Sequence, residues 1–304
     1  MKNSSHFIFA CISSLSLAAI SFAAPKPVVA LDCFHNNEPS PHYTWQLTSV
    51  GGYSQLATVV LGLGYDTLSI KTAVDSAVLS NVTLFIIADP DDSSESPSPK
   101  LVSDAEADVL DKWVQRGGKL MLLGNNKGNC EFPHFNVLAN KFGITFNEDT
   151  QAGTDFGPLP QTSPLFTGCD TLHIKDMCTL KLVAPAQAVF TFGAAVLIAT
   201  STKGTNGGTV FALGDPWVYN EYINSKDNKL CVTNVLKWLV GSSTAVSRDY
   251  RAISLPKRAY PSVAGSMLFL ANGRACVPQA AVQSRANVYI AKTASGIVKK
   301  VSLR

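Results

Sequence analysis

Residues 82–88 (VTLFIIA) form an unbroken apolar run, the pattern of a strand covered on both faces. Ser103-Asp-Ala-Glu106 is a capping box, in which Ser103 and Glu106 reciprocally satisfy the first free amides of a helix. That helix carries Leu110, Trp113 and Val114 on one face and stops at Gly117-Gly118, and a second apolar strand, Lys119–Leu123, begins at once. Strand, helix and strand at this spacing require a crossover connection, and so predict parallel pairing with helices laid over the sheet.

The alternation extends in both directions. Pro27–Leu31 reads as a strand ending at Asp32, residues 49–63 as a helix stopped by Gly64, and Asp66–Ile70 as a short strand. Phe135–Phe142 reads as a helix before Gly143. Val196–Thr200 and Thr209–Leu213 form a hairpin, and Leu230–Val240 is a closing helix. Residues 148–186 break the rhythm and read as an insertion. The expected fold is α/β, a flavodoxin-like, mainly parallel sheet with helices on both faces, spanning 27–241. Residues 242–262 read as a linker, and 263–304 as a small β module with strand-like runs at Met267-Leu-Phe-Leu, Asn287-Val-Tyr-Ile-Ala and Ile297–Leu303.

The first 23 residues have the form of a signal peptide: Lys2, an apolar stretch from Phe7 to Ile20, then Ser21-Phe22-Ala23 with small residues at −3 and −1. The chain is therefore expected to be secreted or held at the cell surface, with no transmembrane span once the signal is removed. Removing Cys11 with it leaves Cys33, Cys130, Cys169, Cys178, Cys231 and Cys276, an even set that an oxidising compartment pairs. Cys169 and Cys178 bracket one short segment and are the expected disulfide. Charge is uneven: ten of the 25 Lys and Arg, but only one of the 22 Asp and Glu, fall from residue 245 onward. An acidic body with a basic tail argues against nucleic-acid binding by the main domain.

Four strands of the body end in polar residues. The first delivers Asp32, His35, Asn36 and Glu38, with His42, Tyr43 and Trp45 behind. The second delivers Asp89, Asp91 and Asp92; the third, Asn125, Asn126, Asn129, Glu131 and His134; the last, Asp215, Trp217, Tyr219, Asn220 and Glu221. Ligands of open parallel sheets bind beyond the carboxyl ends of the strands, so these segments are expected to share one rim. Turn and cap chemistry is the competing account of each residue taken singly. The strand before Gly124-Asn-Asn-Lys-Gly128 lacks a nucleophile elbow, and no His follows His173, which argues against amidotransferase and serine-hydrolase chemistry. Neither a dinucleotide fingerprint nor a Walker motif is present. Two ligand classes suit the rim: a saccharide, with Trp45 and Trp217 for stacking and acids for hydroxyls, and a hard cation such as calcium. Were the chain catalytic, Glu131 with Asp215 or Glu221, then His134, are the acid/base candidates.

The segments LDCFHNNE (31–38), HYTW (42–45), DPD (89–91), WVQRGG (113–118), NCEFPHFN (129–136), FGITFN (142–147) and GDPWVYNEY (214–222) form an ordered series. It resembles the α/β domain fused behind the catalytic barrel of many bacterial unsaturated rhamnogalacturonyl hydrolases, a glutamine-amidotransferase-like domain without its catalytic cysteine. The resemblance implies a pectin-degradation context, a polysaccharide or oligosaccharide ligand and a glycosidase partner. It does not carry the hydrolase activity, which belongs to the helical barrel. The tail, with Asn272-Gly-Arg274, Asn287–Lys292 and Lys299–Arg304, resembles the C-terminal sorting domains of type nine secretion, except that Asn287 stands where a glycine is usual.

Overall fold

A computed structural model describes residues 25–241 and, beyond them, four short strands at 267–270, 275–276, 288–292 and 298–302. The chain divides into two compact units, Met1–Val246 and Ser247–Arg304. The expected signal peptide and linker lie outside the described residues.

The larger unit is built on β1 (Val28–Asp32), β2 (Asp66–Ile70), β3 (Leu84–Ala88), β4 (Lys119–Leu123) and β11 (Gly208–Leu213). They pair in parallel in the order β2-β1-β3-β4-β11. Antiparallel strands extend the sheet past β11: β10 (Ala195–Lys203), then β8 (Leu180–Leu182) and β5 (Ile144–Phe146), with β9 (Gln187–Phe192) also on β10. The fold is thus the mainly parallel α/β class that the alternation and the resemblance imply, its first four strands in flavodoxin-like order.

Two cores flank this sheet, and the period-2 alternation of the strands assigns residues to each. Leu84, Ile86, Met121, Leu123 and Phe211 face α1 (Ser54–Gly62) and α4 (Asn228–Val240); Phe85, Ile87, Leu120, Leu122 and Val210 face α2 (Asp104–Gln115) and α3 (Phe132–Ala139). The capping box of α2 forms as read: Glu106 N donates to Ser103 Oγ, and Ser103 N donates to Glu106 Oε2. α1 begins at Ser54, five residues after the expected start, because Gly51 is left-handed and residues 43–53 close a turn, with Tyr43 N on Gly51 O.

The insertion is more ordered than its sequence implied, holding β6 (Thr154–Phe156), paired with β7 (Leu172–Ile174), as well as β8. It returns to the sheet at Cys178, whose amide donates to Gly214 O at 3.0 Å. A side chain at 214 would collide with the Cys178 carbonyl, so glycine is required where the insert crosses the end of β11. Cys169 and Cys178 correct the expected disulfide: they are not bonded to each other, the first being buried in the α1/α4 core and the second in the α2/α3 core. The segment between them carries the chain from one core to the other, so nearness in sequence does not bring their sulfurs together.

In the smaller unit β12 (Met267–Leu270), β13 (Ala275–Cys276), β14 (Val288–Lys292) and β15 (Val298–Ser302) make one antiparallel sheet, ordered β13-β12-β14-β15. Three of these fall on the runs read as strands.

Candidate functional site

The register of the parallel strands decides which polar residues become neighbours. Ala88 pairs with Leu123 and Leu123 with Leu213, and the ladder continues as Asp89 N donates to Leu123 O and Gly124 N to Leu213 O, both at 2.9 Å. Asp89, Asn125 and Asp215 therefore emerge side by side. A cavity of about 230 Å³ opens beyond them. Its wall includes Asn125, Asn126, Asn129 and Asp215 from the strand ends, His42 and Tyr43 from the loop after β1, Glu95 from the loop after β3, and Tyr219. Lys175 and Asp176 of the insert close it.

This cluster is buried, crowded with acids and conformationally strained. Asp89, Asp91 and Asp215 are each almost wholly inaccessible. Asn125 Nδ2 donates to Asp89 Oδ2 at 2.7 Å, while Asp89 Oδ1 and Glu95 Oε2 are buried with no protein partner. Burial pushes the Asp89 carboxyl well above the carboxylate range, aided by Glu95 and opposed by the Asn125 amide. Burial and then Asp91 raise Glu95 to about 8. Burial likewise lifts Asp215 to about 8, against the Trp217 amide and Lys175, and Asp91 to about 6, against the Asn37 amide. Tyr43, Asp89 and Trp217 all hold positive φ, at 47°, 50° and 62°. Such conformations cost roughly 1–3 kcal/mol each and cluster where function requires a fixed geometry.

The remainder of the rim is mostly taken up by contacts within the protein. Asp32 Oδ1 accepts the amides of Phe34 and His35 at 2.8 and 3.2 Å, and its Oδ2 lies 2.5 Å from His35 Nδ1. The other ring nitrogen of His35 faces Glu106 Oε1 at 3.5 Å. Burial disfavours the imidazolium, but the charges and hydrogen bonds of Asp32 and Glu106 override it and raise His35 to about 9. Glu106 falls to about 2: His35, the Val74 amide and Ser103 outweigh its burial. Asn36 Nδ2 donates to Asp89 O at 3.4 Å, leaving its own Oδ1 buried and unpartnered. Glu38 is taken up by His42, through its amide at 3.0 Å and its Nδ1 at 2.6 Å. Trp45 packs beside Tyr53 and donates its indole N–H to Leu68 O. Trp217 is stacked on Phe211 in the core, so neither tryptophan offers a face to a sugar.

Asn220 is a clamp. Its Oδ1 accepts from the Gln55 amide at 3.1 Å, and its Nδ2 donates to Leu47 O and Ser49 O at 3.0 and 2.9 Å. Glu221 accepts the Gly51 amide at 2.8 Å. Glu131 is the N-cap of α3, accepting from the amide and from Nδ1 of His134, both at 2.9 Å. Of the four acid/base candidates, only Asp215 stands in the cavity wall; Asn129 joins it, with its Nδ2 on Asn126 Oδ1. Sequence reading missed Glu95, hidden in a loop that looks like solvated surface, and Lys175 and Asp176, which carry no local signal. Cys130 is buried and its thiol pushed far up by desolvation, the opposite of an activated nucleophile. Among the described residues no three His, Cys, Asp or Glu side chains gather as a metal-holding group. No described helix is long and apolar enough to cross a membrane.

A family model described as a domain of unknown function, DUF4350, matches residues 46–236, and the chain belongs to that family. Among solved structures, the mmIFT52 N-terminal domain is similar at a TM-score of 0.59 and 20% identity, over 71% of this chain and 98% of its own. Two cytoplasmic proteins of Salmonella typhimurium follow: STM1381 at 0.52 and 11% identity, covering 70% of this chain and 99% of that one, and STM3548 at 0.51 and 12%, covering 70% and 98%. At these identities the likeness is one of fold. No curated protein matches the chain.

Proposed function

We propose that this DUF4350 protein is an exported, carbohydrate-associated binding protein, and that the cavity beyond β3, β4 and β11 takes one unit of a pectin-derived saccharide. The observation that carries the reading is the chemical character of the wall. Glu95 and Asp215, with carboxyls raised to about 8, stand with three asparagines and two tyrosines around one small cavity. A neutral carboxyl both donates and accepts, as does an amide, and such a set matches hydroxyl groups better than it matches an ion of either sign. The volume suits a single sugar ring rather than a long chain.

The same wall argues for binding over hydrolysis. A glycosidase pair needs one protonated and one ionised carboxyl. Glu95 and Asp215 are both pushed toward the neutral form, so these two do not make such a pair with each other. Titration calorimetry with rhamnogalacturonan and homogalacturonan oligosaccharides tests the reading. Binding should be lost in Asp215→Ala and in Asn125→Ala, and kept in Glu131→Ala. A folded wild-type protein that binds none of these sugars would favour the alternative supported by the sealed Asp32 and Asn220 networks, a partner-docking module without a ligand.

A further inference from the structure

Cys169 and Cys231 are each fully buried in the same α1/α4 core, where their side chains are neighbours. The backbone around this contact is held on both sides. Asp227, at the start of α4, accepts the amides of Asp170 and Thr171 at 2.8 and 3.0 Å. Two turns on, Asn234 Nδ2 donates to Thr167 O at 2.9 Å and lies 3.6 Å from the Cys169 sulfur. Positions 227, 231 and 234 fall on one helix face, so α4 presents Cys231 to residues 167–171 between two polar clamps. Cys178 has no such placement, its sulfur being turned to Gly214 O at 3.5 Å.

We infer that Cys169 and Cys231 are joined by a disulfide when the chain folds in an oxidising compartment, tying the insert to α4. The export reading above bears on where this happens and not on whether the pair can form. The chemistry is thiol–disulfide exchange. One cysteine thiolate attacks a small-molecule or protein disulfide, releasing one thiol of the oxidant, and the second cysteine resolves the mixed disulfide, releasing the other. Two protons and two electrons leave the protein, and one S–S bond forms. The exchange belongs to the folding chain, because both thiols are later sealed from solvent and burial pushes both upward. The bridge closes a long loop and fixes the insert that contributes Lys175 and Asp176 to the cavity wall.

The test is to unfold the full chain, refold it in a glutathione redox buffer, alkylate it, and map the peptides without reduction. A Cys169–Cys231 linkage is expected, with a Tm that falls by roughly 5–15 °C on adding reductant. The double variant Cys169→Ala/Cys231→Ala should lose that reductant-dependent shift. Both cysteines recovered alkylated, or Cys169 linked to Cys178, would overturn the inference. Linkage after refolding, together with free thiols at both positions in protein taken from cells, would uphold the pairing and count against export.

Discussion

The two ends of the same rim use the same residue types for opposite purposes. At β1, Asp32, His35 and Glu106 form a chain of charges: Asp32 Oδ2 lies 2.5 Å from one imidazole nitrogen, and the other faces Glu106 Oε1 as an ion pair at 3.5 Å. At β3, β4 and β11, Asp89, Glu95 and Asp215 crowd together, and one buried oxygen each of Asp89 and Glu95 has no protein partner. The first arrangement raises a histidine and lowers a glutamate, which keeps charges in place. The second raises every one of its acids, which removes charge. Buried polar groups are nearly always paired, yet both sides keep unmet atoms, His35 Nε2 and Asn36 Oδ1 on the first and Asp89 Oδ1 and Glu95 Oε2 on the second; what sets the second apart is the cavity it opens on.

Breaking the closed side should have the largest effect. His35→Ala leaves two buried carboxylates facing an empty space, and removing one member of a buried charge network typically costs about 3–5 kcal/mol. Urea unfolding should show that loss, and a change under 1 kcal/mol would mean the network is not holding the loop after β1. Asn220→Ala comes next. It strands the Gln55 amide and the Leu47 carbonyl, each worth about 1–3 kcal/mol when buried and unmet, and a loss of roughly 2–3 kcal/mol is expected. If Asn220→Ala is neutral in the same assay, the clamp description fails.

The open side should be read through pH. Asp215 keeps its proton in the folded chain up to about pH 8, whereas the unfolded chain releases it near 3.8. Its contribution is therefore full below the unfolded value and is lost as pH rises toward 8. His35, raised from 6.5 to about 9, acts in the same direction over its own window. Wild-type stability should fall from pH 5 to pH 9. Asp215→Asn, which cannot ionise, should remove up to about 1.4 kcal/mol per pH unit of that slope between pH 4 and 8. Parallel denaturation curves for the two proteins across this range would contradict the neutral-carboxyl picture.

This division was only half legible in the chain. Period-2 and helical patterning, the α2 capping box and the polar strand ends are local signals, and they give the sheet, its two covered faces and the rim. What they cannot give is which rim residues meet. Asp32 and Asp215 look alike as the first carboxylates after a strand; only the tertiary position of Glu106, on a helix capped far downstream, satisfies one through His35 and leaves the other in a cavity. Lys175 and Asp176 reach that cavity because Gly214 lets the insert cross β11, a contact with no sequence spacing to betray it. Spacing misled outright for Cys169 and Cys178, because the chain between them passes from one core to the other.

Glu131 offers the smallest and most discriminating comparison. It sits among the motifs that resemble a saccharide-processing family and, with His134, forms an acid–histidine pair at 2.9 Å that invites a catalytic reading. Its geometry is that of a helix cap: the same carboxylate accepts the third amide of α3, and the pair lies outside the cavity wall. Glu131→Ala should cost about 1 kcal/mol of stability, in the ordinary range for an N-cap, and leave saccharide affinity unchanged. His134→Ala should do less still, since the amide bond to the cap survives it. If either variant abolished binding while the protein remained as stable as wild type, the ligand would be reaching α3, and the boundary drawn here between the closed and open halves of the rim would have to move.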